Sequence, residues 1–282
     1  MKKIDINILG LGNLGTAFFE GLRKNNSLNL HLYEEDEKIR NDFAKLHNVV
    51  VLPHIDILDS GVLILCIKPQ NINNFFESFS KNIKKDVLIC SPVAGLEIET
   101  ISKYVKNRVI RIMPNLLIRK NNGFIPFVKN YDDDYLGFIE IALSSLGLTR
   151  EFTEQLFPLV TALSGSGPAW FYELSRQLTN SATQLGMNED DAEELVKELI
   201  KALPNLISTE DSFTELVNKV KSPKGTTEAG LDSLIDDSFD TIIFNAIQQA
   251  TNRSFEISAC LLYTSDAADE GLGVDLGGRR II

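Results

Sequence analysis

The sequence predicts an α/β protein in two parts, an N-terminal domain on a parallel sheet followed by an all-α C-terminal domain. Three observations predict it. Residues 4–16 read Ile-Asp-Ile-Asn-Ile-Leu-Gly-Leu-Gly-Asn-Leu-Gly-Thr, which is strand, glycine turn and helix start in succession. Apolar, β-rich runs then alternate with helical stretches up to about residue 152. From residue 155 onward only helical periodicity remains. These features place a domain boundary near residue 153, with domains at 1–153 and 154–259.

The elements follow in order. Ile4, Ile6 and Ile8 alternate as in a half-buried strand, and Leu9 closes the run. Gly10, Gly12 and Gly15 then give G-x-G-x-x-G around Asn13 and Leu14. In this pattern the first glycine permits a tight turn, the second lets a pyrophosphate approach the backbone, and the third lets helix and strand pack closely. Ala17, Phe18, Gly21 and Leu22 continue at helical spacing. A second strand spans 28–33 and ends before Glu34-Glu35-Asp36-Glu37. Glu34 stands where an acidic residue accepts hydrogen bonds from an adenosine ribose; an ordinary solvated turn reads the same way. A helix is expected over 36–46 and a strand over 49–52.

Further strands are expected over 62–67, 87–90 and 109–113, the first two apolar on both faces as buried parallel strands are. They end in Lys68-Pro69-Gln70, Ser91-Pro92-Val93-Ala94-Gly95 and Pro114-Asn115, at the sheet edge where ligands of such folds bind. Short strands at 123–128 and 147–152 flank a helix at 135–146, and helices follow at 155–185, 189–206, 211–220, 227–235 and 238–258. Asn188 is the expected cap of the second of these, ahead of Glu189, Asp190 and Asp191.

Two loops interrupt the helical half: Ser164-Gly165-Ser166-Gly167-Pro168-Ala169, and Ser222-Pro223-Lys224-Gly225-Thr226-Thr227-Glu228-Ala229-Gly230. Each sets small hydroxyl and glycine residues directly before a helix, an arrangement that presents N–H groups and hydroxyls to an anion such as a carboxylate. Ordinary helix capping is the plainer reading of either loop alone.

The bulk properties restrict the partners. A formal charge of −11 over 282 residues argues against nucleic acid and anionic membranes. No apolar run is long enough to span a bilayer, and Asp5 and Asn7 interrupt any signal-like stretch, so the expected location is the cytoplasm. The 3 cysteines form no C-x-x-C, and Cys66 and Cys90 end apolar runs as small core residues. The 3 histidines have no metal-ligand spacing, so no metal is expected. Residues 260–282 fall outside the helical period and resemble the in-frame translation of a sequencing adaptor, a non-native tail with nothing to pack.

Taken in order and spacing, Gly10-x-Gly12-x-x-Gly15, Ile67-Lys68-Pro69-Gln70, Val93-Ala94-Gly95, Arg111-x-Met113-Pro114-Asn115, Ser164-Gly165-Ser166-Gly167-Pro168-Ala169 and Ser222-Pro223-Lys224-Gly225-Thr226-Thr227-Glu228-Ala229 resemble the pyrroline-5-carboxylate reductases over residues 1 to about 259. The resemblance implies a Rossmann-type N-terminal domain and a helical domain that intertwines into a homodimer, with rings of dimers in many members. It implies reduction of the cyclic imine 1-pyrroline-5-carboxylate to proline by a reduced nicotinamide. The family's imine-bonding threonine falls on Thr227. Gly225 and Thr226 would hold the substrate carboxylate, Ser164, Ser166 and Gly167 would line the opposite side, and Glu210 falls on an acidic substrate neighbour. Gly10, Gly12, Asn13, Leu14, Gly15, Glu34 and Ile67 fall on cofactor-binding positions. Lys68, Pro69 and Ala94 would touch the nicotinamide half, and Asn115 would hold the loop beside it. Two departures from the family's pattern stand out: Leu116-Leu117 replaces its usual Thr-Pro, and Lys224 replaces a glycine.

The acidic turn at Glu34 leads to an expectation that NADH is favoured over NADPH, which can still serve. A related β-hydroxyacid or imine reductase, a non-catalytic dinucleotide-binding regulatory protein and a plain structural role remain open on the sequence. None of Lys197, Lys201, Lys219, Lys221 and Lys224 sits in the glycine-asparagine context of the hydroxyacid enzymes' catalytic lysine.

Overall fold

The computed structural model of the chain describes residues 3–207 and 211–270, with side chains along the last helix given up to Leu261. β1 (Ile4–Leu9) leads through the glycine turn into α1 (Asn13–Leu22), β2 (Leu28–Tyr33) and α2 (Glu37–His47). β3 (Leu58–Leu65), α3 (Ile72–Phe79), β4 (Ile83–Ser91), α4 (Ile98–Tyr104) and β5 (Val109–Ile112) complete the parallel part. A 3-10 turn at Leu116–Lys120 precedes β6 (Gly123–Lys129), which runs antiparallel to β5, and β7 (Gly147–Glu151) pairs parallel to β6.

The seven strands lie in the order β2-β1-β3-β4-β5-β6-β7. The chain steps from β1 out to β2 and returns to β3 on the other side of β1. The switch point of the strand order therefore lies at the carboxyl ends of β1 and β3, the general ligand position in such sheets. Alternation along the strands sends Ile6, Ile8, Ile64, Leu88 and Ile110 into one core with Phe18, Phe19 and Leu22 of α1. Leu63, Leu65, Val87, Ile89 and Val109 face the other core with Phe76, Ile98 and Ile101. Burying each such side chain stabilises the fold by about 1.5–3 kcal/mol.

The later chain gives α5 (Phe157–Val160), α6 (Gly167–Gln184), α7 (Glu189–Ala202), α8 (Phe213–Val220), α9 (Thr226–Asp236) and α10 (Phe239–Glu270). Asn188 caps α7 by accepting from the backbone N–H groups of Asp190 and Asp191. Ser212 and Glu215 form a capping box that starts α8. The described residues fall into two compact units, one up to Gly165 together with the chain from Ala250 on, the other Ser166–Gln249. In the second unit only Gly167, Ala192 and Val196 are buried among the described residues. No helix of the described residues is long and apolar enough to cross a membrane.

The structure corrects several expected elements. Residues 49–52 make a single bridge, Tyr33 to Leu52, because Pro53 follows at once and cannot donate to a ladder. The expected helix at 135–146 is a succession of 3-10 and π turns, broken by left-handed Leu136 and Gly137. The expected helix at 155–185 is interrupted by a π turn at Thr161–Gly165, where the small residues of the first loop weaken helical continuation. Pro204 ends α7 early in a 3-10 turn. α3 and α4, seven or eight residues each, had no separate sequence expectation. α10 runs past the expected end at 258, and Leu261 is buried in the second core. The expectation that nothing from residue 260 on packs therefore fails at Leu261.

Candidate active site

Two of the three motif glycines are fixed by the protein itself. Gly10 has φ +93°, and a Cβ on it would lie 2.5 Å from the Cys66 carbonyl oxygen. A Cβ on Gly15 would lie 1.9 Å from the Gly10 carbonyl oxygen. Gly12 differs, since nothing lies within 4 Å of a Cβ placed there. Internal packing does not require the second glycine, whereas a pyrophosphate seated against the backbone does. Gly12 also precedes α1 without a side-chain cap, so the first N–H groups of that helix, Asn13 and Leu14 among them, open toward the same place. These residues fit a dinucleotide.

Glu34 stands at the lip of this turn. Its Oε2 accepts from the Leu11 N–H at 2.7 Å and its Oε1 from the Asp36 N–H at 3.0 Å. Arg40, in the first turn of α2, donates from Nη1 to the carbonyls of Glu34 and Glu35, each at 3.0 Å. A carboxylate and a guanidinium thus share the turn beside the glycine loop. Cys66 is half-buried under the loop and Cys90 is fully buried, and desolvation pushes both thiols well up.

Ile67, Lys68 and Pro69 follow β3, with Lys68 exposed and its two neighbours half-buried. Ala94 is half-buried in the turn after β4. The next residue, Gly95, has φ +77°, and a Cβ on it would lie 2.6 Å from Ile257 and 2.9 Å from the Ser258 nitrogen. The middle of α10 therefore presses directly on the Ala94 loop. Both ends of the Asn115 amide bond to the protein: Oδ1 accepts from the Leu117 N–H at 3.1 Å, and Nδ2 donates to the Ser164 carbonyl at 3.3 Å. Asn115 and Ser164 are thereby brought together. The Ser164 hydroxyl is buried with no hydrogen-bond partner.

In the second unit, Ser166 and Gly167 open α6. The Ser222–Gly225 turn closes through Gly225 N–H to Ser222 O at 3.0 Å, and Gly225 precedes α9 with no side-chain cap. Thr226 is exposed and Thr227 half-buried at the open N-terminus of that helix. Lys224 has φ +58°, a left-handed conformation that glycine enters freely and lysine does not. Its backbone N–H donates to Glu228 Oε2 at 2.7 Å, and Lys221 Nζ lies 3.2 Å from Oε1. The Lys224 N–H first, then Lys221, hold the Glu228 carboxyl below the usual carboxylate range. Glu210 lies outside the described residues.

Comparison with known proteins decides the family. Residues 154–257 match the family described as pyrroline-5-carboxylate reductase dimerisation, and residues 5–95 match NADP oxidoreductase, coenzyme F420-dependent. The pyrroline-5-carboxylate reductase of Staphylococcus epidermidis is 30% identical over 260 residues, which cover 88% of this chain and 96% of that protein. This chain belongs to the pyrroline-5-carboxylate reductase family. The Staphylococcus aureus reductase matches to the same extent. The solved pyrroline-5-carboxylate reductase of Coxiella burnetii superposes with a TM-score of 0.78 at 26% identity, covering 91% of this chain and 99% of that one. The Plasmodium falciparum pyrroline carboxylate reductase, solved with NADP bound, shares the fold with a TM-score of 0.76 at 22% identity, covering 90% of this chain and 100% of that one.

Two residues of this family member have a place that sequence reasoning missed. Arg111 is 1% exposed, and its Nη1 lies 2.6 Å from Glu154 Oε1. Arg111 was visible as the one charged residue in an otherwise apolar strand, but its partner 43 residues later carried no signal.

Proposed function

We propose that this chain reduces 1-pyrroline-5-carboxylate to proline with a reduced nicotinamide cofactor. The observation that carries the reading is the 30% identity with a named reductase over 260 residues, reaching 96% of its length. The chemistry that a bound reduced nicotinamide would supply is a hydride for the imine carbon. A protonated imine is already electrophilic, so the protein's task is to bind and orient, worth several kcal/mol of the barrier.

The residues divide this task. Gly10, Gly12, Asn13, Leu14 and Gly15 seat the pyrophosphate, and Glu34 accepts from the adenosine ribose. Ile67, Lys68, Pro69 and Ala94 bound the nicotinamide half, with Asn115 holding the adjoining loop to Ser164. The N-terminus of α9, through Gly225 and Thr226, binds the substrate carboxylate. Ser164, Ser166 and Gly167 line the opposite side of the ring. The Thr227 hydroxyl oxygen accepts the N–H of the protonated imine. When hydride reaches carbon, the nitrogen keeps that proton as the neutral amine, so Thr227 acts without changing its own protonation.

Two finer assignments belong to the same proposal. The Glu34 carboxylate beside the ribose favours NADH over NADPH by charge repulsion with a 2′-phosphate. The unit Ser166–Gln249 buries only three described residues, while Phe171, Leu174, Leu178 and Phe213 stay exposed. Helices so poorly covered need a second copy, which makes the working form a homodimer that rings of dimers can extend.

The test is oxidation of reduced nicotinamide by the purified chain with pyrroline-5-carboxylate, against β-hydroxyacids in the reverse direction and larger cyclic imines. The proposal expects turnover with the five-membered imine well above every other substrate. Preference for a hydroxyacid, or cofactor binding without turnover of any imine, would overturn it.

A further inference from the structure

Arg111 is a fully buried guanidinium with one ionic partner, and the chemistry proposed above gives it no role. It stands next to the end of β5 at the ligand edge of the sheet. Its Nη1 meets Glu154 Oε1 at 2.6 Å, and its guanidinium sits 4.7 Å over the Phe157 ring. Its Nε and Nη2 are buried and make no hydrogen bond. Glu154 Oε1 also accepts from the Ile98 N–H, the first of α4, at 3.4 Å. One carboxylate oxygen therefore ties together the end of β5, the start of α4 and the beginning of the segment 154–165.

The far end of that segment returns to the same strand end. Asn115 donates to the Ser164 carbonyl at 3.3 Å, and a Cβ on Gly165 would touch the Met113 sulfur at 3.4 Å. Between the two ties lie a 3-10 turn, the four-residue α5 and a π turn. Elements so short hold little shape of their own. Burial of Phe157, Pro158 and Ala162 anchors the middle of the segment, and residues 111–115 supply the ties that pin its two ends.

A buried ion pair is weak evidence for net stability, because apolar residues of similar volume often replace it without loss. Its distinct property is that it allows one arrangement of its partners. We infer that Arg111 is a positioning residue: through Glu154 it fixes the register of segment 154–165 and so holds Ser164, whose carbonyl meets Asn115, in place for the imine substrate. This rests on the substrate role of Ser164 proposed above.

The experiment uses the full chain and three variants. Arg111→Met with Glu154→Leu removes the pair and leaves no buried charge. Glu154→Gln keeps an acceptor for Arg111. Arg111→Lys keeps the charge. For each, kcat and KM for pyrroline-5-carboxylate, the Kd of reduced cofactor by nicotinamide fluorescence, the melting temperature, and amide exchange across 154–165 are measured. The double variant is expected to fold and to bind cofactor within about twofold of native. Its KM for the imine is expected to rise at least tenfold, and amide exchange over Thr161–Gly165 to accelerate at least tenfold. Glu154→Gln, which preserves the geometry, is expected to recover most of both. A folded double variant with native KM and native exchange would overturn the inference, as would a parallel loss of cofactor affinity. If the native chain does not turn over the imine, the functional reading has failed, and amide exchange alone then decides the positioning role.

Discussion

Gly12→Ala separates folding from cofactor binding more cleanly than any other change in the glycine turn. A Cβ at Gly12 meets nothing within 4 Å, and the residue has φ −64°, open to any amino acid. The unfolded chain loses freedom on gaining a methyl group, worth about 0.4–1 kcal/mol in favour of the fold. Alanine is a somewhat poorer N-cap than glycine, so the two effects largely cancel and the melting temperature should stay within a few degrees of native. Cofactor binding should behave otherwise, since the methyl group occupies the approach to the α1 N-terminus. Losing that close contact is expected to weaken affinity at least tenfold, which is about 1.4 kcal/mol. Gly15→Ala is the control. Its Cβ would fall 1.9 Å from the Gly10 carbonyl oxygen, so the turn must open and the fold itself should fail. The assay pairs calorimetry with cofactor titration by fluorescence. A Gly12→Ala protein that melts normally and binds cofactor with native affinity would refute the argument that the second glycine exists for the ligand.

Other changes test the remaining assignments. Glu34→Ser should raise kcat/KM for NADPH relative to NADH about tenfold. Two charges 4 Å apart interact by about 4 kcal/mol at an effective dielectric of 20, and solvent with Arg40 on the same turn reduces this to roughly 1–2 kcal/mol. An unchanged ratio would show that Glu34 does not face the ribose. Thr227→Ala should lower kcat by roughly tenfold to a thousandfold, the loss of one hydrogen bond in the transition state; native kcat would mean that another group holds the nitrogen. Gly95→Ala should destabilise by about 2–4 kcal/mol, from left-handed strain together with overpacking against α10. An unaltered melting curve would show that α10 does not press on the Ala94 loop.

The parts of the fold legible in the sequence were those set by local periodicity. β1, α1 and β2 emerge where the alternation of Ile4, Ile6 and Ile8 and the three glycines put them, because each signal is complete within about 30 residues. Breaks in the helical half were harder to read. The run at 155–185 has helical spacing throughout, yet Ser164, Gly165 and Ser166 let the chain pass through a π turn, where tertiary ties from Met113 and Asn115 decide the path. The glycine turn was legible because the motif encodes its own geometry, as the close contacts at Gly10 and Gly15 show. The Arg111–Glu154 pair was not, since nothing in the sequence links an arginine in one strand to a glutamate 43 positions on. Lys224 was legible only as a departure from a familiar pattern; its left-handed backbone explains why glycine suits that position.

The most direct test of the central claim follows the hydride itself. The chain is incubated with pyrroline-5-carboxylate and NADH carrying deuterium at the transferring position of the nicotinamide, and the product is examined by mass spectrometry and NMR. The account predicts proline with one deuterium on the ring carbon that was doubly bonded to nitrogen, the carbon remote from the carboxylate. Proline without deuterium at that carbon, or oxidised cofactor with no proline formed, would contradict it.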